Sequence, residues 1–191
     1  MRIVLFDIDG TLLLTGGAGL LALRRVFQER FGLDDAARNV DFHGATDPLI
    51  LDQIAQRHLG RALETDEETA VTRDYVRHLA IALQETSFRV LDGAEAVLER
   101  LVGRDDIVLG LATGNFEPAA WAKLRRAGLD RFFDFGGFGS DHGNRDELTR
   151  IAVARGRERA GNEAPVLVVG DTVRDVRSAA AAGADCLAVA T

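Results

Sequence analysis

Three short apolar runs in this chain each break off at polar residues that an ordinary core strand does not need. Val4-Leu5-Phe6 leads into Asp7-Ile8-Asp9-Gly10-Thr11-Leu12. Ile107 to Ala112 leads into Thr113-Gly114-Asn115, and Val166 to Val169 leads into Gly170-Asp171-Thr172 and then Asp175. Continuous apolar runs of this length read as strands buried on both faces of a parallel sheet. Helical patterns separate them, so the chain is expected to be α/β, with a Rossmann-like parallel-sheet core. In open sheets of that kind, ligands bind just beyond the carboxyl ends of the strands. Two carboxylates, a hydroxyl and a second pair of carboxylates, far apart in sequence, would then meet at one edge.

The alternation is interrupted once. Thr15-Gly16-Gly17-Ala18-Gly19 places three glycines in five residues, a flexible crossing point. Some seventy residues of helical pattern follow. Leu20, Leu23, Phe27 and Phe31 recur at helical spacing before Gly32. Asp47-Pro48 suits the start of a second helix carrying Ile50, Leu51, Ile54 and Leu59. Thr65-Asp66-Glu67-Glu68 reads as a capping box ahead of a stripe at Val71, Tyr75, Leu79 and Leu83. From Phe88 the helix–strand alternation resumes. Helices are expected from Asp92-Gly93 to Leu101, Pro118 to Gly128, Asp146 to Arg159 and Val173 to Ala182. Short strands are expected at Phe132–Phe138 and Cys186–Ala190. Residues 1–14 and 88–191 are thus expected to form the core, and residues 15–87 an all-helical lobe inserted after the first strand. A lobe tethered there can act as a lid over the strand ends.

Composition narrows the partners. The formal charge is −7 over 191 residues, and the single lysine, Lys123, and the arginines form no basic run. Nucleic acid is therefore not an expected partner. No apolar stretch approaches membrane-spanning length. The sequence opens directly on a strand, leaving no room for a signal peptide, and its one cysteine, Cys186, permits no internal disulfide. A cytoplasmic protein with a buried structural thiol is the expectation.

The strand-end residues carry the chemistry. Asp7 and Asp9 are two apart, so both carboxylates can face one site. Close carboxylates repel unless a cation lies between them, and an all-oxygen set favours Mg²⁺. Thr113-Gly114-Asn115, a hydroxyl and backbone N–H groups ahead of a helix, makes an anion seat, although an N-cap or tight turn uses the same residues. Asp171 can complete the metal's oxygens, or cap the next helix; Asp175 can merely favour that helix's positive end. Arg145, just before a helix, can neutralise a phosphate and a carboxylate, or be solvated like many arginines here.

In this order and strand context, the four motifs resemble the haloacid dehalogenase-like (HAD) hydrolase superfamily. The helical insertion resembles the cap of its phosphoglycolate phosphatase and β-phosphoglucomutase branch. The resemblance implies that Asp7 attacks phosphorus and forms an aspartyl-phosphate. It implies that Asp9 protonates the leaving alcohol and then activates water. Thr113, Gly114 and Asn115 would hold the phosphoryl oxygens, with Arg145 where the family more often has lysine. Mg²⁺ would be held by Asp7, the Asp9 carbonyl and Asp171, with Asp175 in support. Relatives commonly continue through another loop, helix and strand beyond where this chain stops, so one flank of the core is expected to be uncovered.

The function so implied is a Mg²⁺-dependent phosphatase acting on a small phosphorylated metabolite, phosphoglycolate-like or a sugar phosphate. The alternatives are a phosphomutase of the β-phosphoglucomutase type and a phosphate-binding protein without turnover. Dehalogenation is disfavoured by Asp9, and phosphonate hydrolysis through a cap Schiff base by the lack of lysine in residues 15–87. Gly17, His43 and Thr46 are the cap residues expected to face substrate.

Overall fold

The computed structural model describes residues 1–38, 40, 42 and 44–190. In chain order the elements are β1 (Arg2–Phe6), β2 (Leu13–Leu14), α1 (Ala18–Phe31), α2 (Asp47–Leu59), α3 (Thr65–Glu85), β3 (Arg89–Val90) and α4 (Ala94–Val102). There follow β4 (Ile107–Thr113), α5 (Glu117–Ala127), a 3-10 turn at Asp130–Phe132, β5 (Gly136–Phe138), α6 (Arg145–Ala160), β6 (Val166–Gly170), α7 (Val173–Ala181) and β7 (Asp185–Ala188).

Five strands form one parallel sheet in the order β5-β4-β1-β6-β7. The apolar runs explain why β1 is central. Ile3 and Leu5 are fully buried on one face, and Val4 and Phe6 are nearly so on the other, so helices cover both sides. Register then sets the site. Phe6 pairs with Leu111 on one side and with Val169 on the other. The carboxyl ends of the three strands therefore gather at one edge, with Asp7 just after β1, Thr113 as the last residue of β4 and Asp171 just after β6. On the outer flank α6 lies close against β5. A Cβ on Gly137 would stand 2.0 Å from the Leu148 carbonyl oxygen, so only glycine fits there.

The inserted helices α1, α2 and α3 share an apolar cluster built from Ala22, Val26, Phe27, Ile54, Val71, Leu79 and their neighbours. Phe116 and Ala119 of the α5 region join that cluster, which seats the helices on the sheet's own layer. The chain leaves for this excursion through β2 and returns through β3. The two pair antiparallel, Leu13 with Val90 and Leu14 with Arg89. Among the described residues, no helix is long and apolar enough to cross a membrane.

Several local expectations are corrected. In α1, Leu23 and Phe27 are buried as expected, together with Ala18, Ala22 and Val26, and Phe31 packs against them, but Leu20 stands 37% exposed, turned toward the cavity described below. The box ahead of α3 begins at Glu64, not Thr65, with the Glu67 side chain accepting from the Glu64 N–H in return. Thr46, not Asp47, caps α2. Phe132 and Phe133 precede β5 without joining its ladder; both are buried against the β1–β4 face, so burial and not strand pairing accounts for their apolarity. Cys186 is half-buried in β7, and burial raises its thiol pKa.

Candidate active site

Asp7 sits on the last turn of extended backbone after β1, its N–H donating to the Val169 carbonyl at 2.9 Å. Its side chain is 6% exposed. Asp171 and Asp175 approach it from the end of β6 and the first turn of α7, and single carboxylate oxygens of the three lie within 4.8 Å of one another. Gly10 makes this approach feasible. It holds a left-handed φ of +81°, and a Cβ there would lie 2.2 Å from Asp171 Oδ2. The Thr11 hydroxyl donates to Asp171 Oδ1 at 3.3 Å.

Arg145 enters this cluster from the first residue of α6, where Asn144 provides the N-cap. Its Nη2 lies 3.2 Å from Asp7 Oδ2 and 2.5 Å from Asp175 Oδ1, and Nε donates to the same Asp175 oxygen at 3.1 Å. Nη1 donates to the Gly44 carbonyl at 3.2 Å. Burial alone would lower the Arg145 pKa, but Asp7 and Asp175 outweigh it and raise it. The other oxygen of Asp175 accepts from the Thr172 N–H and hydroxyl, so both its oxygens are committed within the protein. Burial raises the pKa of Asp7 first of all; Arg145 opposes this and the neighbouring Asp175 and Asp9 reinforce it. Asp171 is raised too, again chiefly by burial. Carboxylates held above their usual range in a dry cluster are what a hard divalent cation would relieve. The donor set fits Mg²⁺: Asp7 and Asp171 have oxygens that Arg145 and Thr11 leave unused.

Across a cavity of about 320 Å³ lies the second part of the site. Thr113 closes β4, fully buried, and its Oγ1 accepts from Asn115 Nδ2 at 2.7 Å. With a lone pair so engaged, the Thr113 hydroxyl proton is free to point into the cavity. Asp9 is 41% exposed at its side chain and is not part of the three-carboxylate cluster; its Oδ2 is instead held by Asn115 Nδ2 at 2.8 Å and by Lys123 Nζ at 2.6 Å. Lys123 also donates to Asn115 Oδ1 at 2.5 Å. Sequence reading missed Lys123 as a site residue. Its signal was the placement of the chain's one lysine on the buried face of α5, in helical register with Ala119, Ala120 and Leu124.

The inserted lobe closes the cavity with residues 44–47. The Asp47 N–H donates to the Gly114 carbonyl at 2.7 Å, and Asp47 Oδ2 accepts from the Phe116 N–H at 2.8 Å. A Cβ on Gly114 would collide with the Ala45 carbonyl oxygen at 2.7 Å. Gly17, Leu20, Phe42, Ala45, Asp47 and Ile50 line the cavity on this side. Thr46, expected to face substrate, is buried and committed elsewhere: its hydroxyl donates to the Gly143 carbonyl at 2.7 Å and caps α2 through the Leu49 N–H. Gly17 does line the cavity, and His43 lies outside the described residues.

Asp47 yields a pH prediction. Burial pushes its carboxyl up to about 6, Lys123 pulls the other way, and Asp9 reinforces the rise. A folded-state pKa above the unfolded one means that the unfolded chain releases this proton first. Wild-type stability is then lost relative to an Asp47→Asn variant as pH rises from about 4 to about 6, by about 2 kcal/mol, and is level above that. Urea midpoints of both proteins at pH 4, 5, 6 and 7 check it; a difference that does not change over this range contradicts it.

Comparison with known proteins agrees with this architecture. A family model described as haloacid dehalogenase-like hydrolase matches residues 1–183. No curated protein sequence matches the chain. Among solved structures, CbbY from Rhodobacter sphaeroides in complex with phosphate is 19% identical with a TM-score of 0.74, covering 100% of this chain and 87% of that one. A CbbY mutant from the same organism, in complex with xylulose-1,5-bisphosphate, is 18% identical with a TM-score of 0.74 and the same coverage. A protein from Thermotoga maritima, assigned as a β-phosphoglucomutase, is 25% identical with a TM-score of 0.61, covering 100% of this chain and 86% of that one.

Proposed function

Since the chain belongs to the haloacid dehalogenase-like hydrolases, we propose that it is a Mg²⁺-dependent phosphatase that hydrolyses a small phosphate monoester through an aspartyl-phosphate on Asp7. One observation carries this reading: Asp7 is buried at the end of the central strand, paired with Arg145, clustered with Asp171 and Asp175, and open to a cavity sized for a small molecule. The resemblance to phosphate-bound and sugar-bisphosphate-bound neighbours supports it.

In this reading Asp7 attacks phosphorus as the alcohol leaves, and Asp9 supplies the proton that the departing oxygen takes up. Asp9, now a carboxylate, removes a proton from water, which attacks the aspartyl-phosphate and releases inorganic phosphate with Asp7 restored. The Thr113 hydroxyl and the backbone N–H groups at Gly114 and Asn115 receive the phosphoryl oxygens. Arg145 offsets the charge of Asp7 and of the incoming phosphate. Asp7, the Asp9 carbonyl and Asp171 would hold Mg²⁺, which would supply charge neutralisation at the phosphoryl group. Asp175 would steady Arg145 and the start of α7. Residues 15–87 would act as a cap that excludes bulk water over a small metabolite, in a cytoplasmic enzyme.

The test is phosphate release from a panel of small phosphate esters. Turnover is expected with Mg²⁺, total loss after thorough chelation, and recovery on adding Mg²⁺ back. Full activity in metal-stripped protein contradicts the metal's role, and no turnover of any ester contradicts the reading. The likeness to the T. maritima protein favours a second reading, a mutase that returns the phosphoryl group to the sugar. Assaying a sugar phosphate for isomer against free phosphate separates the two.

A further inference from the structure

Lys123 is 6% exposed at its side chain, and a buried ammonium is costly unless its donors are met. Its partners are the Oδ2 of Asp9 and the Oδ1 of Asn115. A tether between α5 and the loop after β1 would need no more than the first bond. The second bond does something different. By occupying Asn115 Oδ1, the ammonium fixes which way the amide faces, because only the NH₂ end can then meet Asp9 Oδ2 and Thr113 Oγ1. One side chain thereby orders Asp9 and the hydroxyl of the proposed phosphoryl seat together. Among the described residues, both bonds that reach the Asp9 carboxylate fall on Oδ2. Its other oxygen is left for the cavity that Asp9 lines.

We propose that Lys123 is a positioning residue for acid–base transfer by Asp9: with Asn115 it anchors one carboxylate oxygen so that the other is presented to the leaving group and to water. This rests on the phosphatase reading. The Asp9 side chain is 41% exposed, unlike that of the enclosed Asp7, so packing does not hold it and its orientation has to be imposed by such partners. An apolar replacement of Lys123 would leave α5 packed through Ala119, Ala120 and Leu124 while freeing the carboxylate to rotate.

The experiment measures the first turnover by rapid quench, with Mg²⁺, for an alkyl phosphate and for p-nitrophenyl phosphate, whose leaving group needs no proton. Lys123→Met should slow alcohol release from the alkyl ester by about 10²-fold, with KM held within about twofold, and should slow the nitrophenyl ester by less than about tenfold. In an Asp9→Asn background the same substitution should add less than about a twofold loss, since there is no acid left to position. Lys123→Arg keeps a cation but not the geometry of a point donor, so it should fall between wild type and Lys123→Met with the same dependence on leaving group. It carries the test should Lys123→Met fail to fold, as judged by circular dichroism. Equal losses on both esters, or an undiminished loss in the Asp9→Asn background, would make Lys123 a structural tether and overturn the proposal. If wild type turns over and Asp9→Asn is impaired while Lys123 variants are unaffected, this inference alone fails. If wild type hydrolyses no ester, the phosphatase reading fails and takes this one with it.

Discussion

Asp7→Asn should abolish phosphate release, by more than about 10⁴-fold, while the protein stays folded. Asparagine keeps the shape of the side chain, and its Oδ1 can still accept from Arg145. It lacks the negative charge that makes the oxygen a nucleophile. Folding should not suffer, because burial already works against the Asp7 carboxylate and raises its pKa. A neutral group there removes a desolvation cost along with an attraction. The urea midpoint of the variant is therefore expected to equal or exceed that of wild type. Phosphate release and circular dichroism on the same preparation check both halves. Substantial turnover in folded Asp7→Asn would refute the covalent mechanism.

The largest effect on stability is expected at Arg145. Its guanidinium is the cation shared by Asp7 and Asp175, and all three side chains are at most 8% exposed. Arg145→Met leaves two carboxylates facing each other without a counter-charge, a loss of about 3–5 kcal/mol at neutral pH in the absence of divalent cations. Arg145→Lys should lose less, since it keeps the charge but cannot bridge both carboxylates and the Gly44 carbonyl as a planar fork does. Acid should partly rescue Arg145→Met, because a buried carboxylate deprived of its cation takes up a proton and sheds its repulsion. Chelator-treated unfolding curves at pH 7.5 and pH 5.5 decide this. A variant as stable as wild type at pH 7.5 would mean that the cluster is held by something other than Arg145.

The residues at the ends of β1, β4 and β6 were legible because each signal is local: a buried strand announces itself as an apolar run, and a polar residue that stops it abruptly stands out. Register does the rest, and it follows from the pairing of Phe6 with Leu111 and Val169. Lys123 was not legible as a site residue for the opposite reason. Nothing near it in sequence shows that α5 lays its buried face beside Asp9, which is distant along the chain. Thr46 misled in a related way. Its neighbours Ala45 and Asp47 line the cavity, but Thr46 itself is turned away, its hydroxyl taken by the Gly143 carbonyl and the start of α2. Phe132 and Phe133 show the limit of apolar runs as strand signals, since a 3-10 turn packed under a sheet buries the same surface as a short strand.

The pairing of β2 with β3 bears on how quickly this chain can reach its native topology. The central sheet requires Arg2 to find Ile107, and closing so long a loop before any contact rewards it is slow. The excursion through α1, α2 and α3 is rich in contacts between its own helices. Once those form and Leu13 zips to Val90, the search that remains for β1 and β4 is that of a short loop. The ribbon thus makes a distant strand pair kinetically near. Cutting the ribbon's register, for instance with proline at Val90, should slow refolding more than it accelerates unfolding.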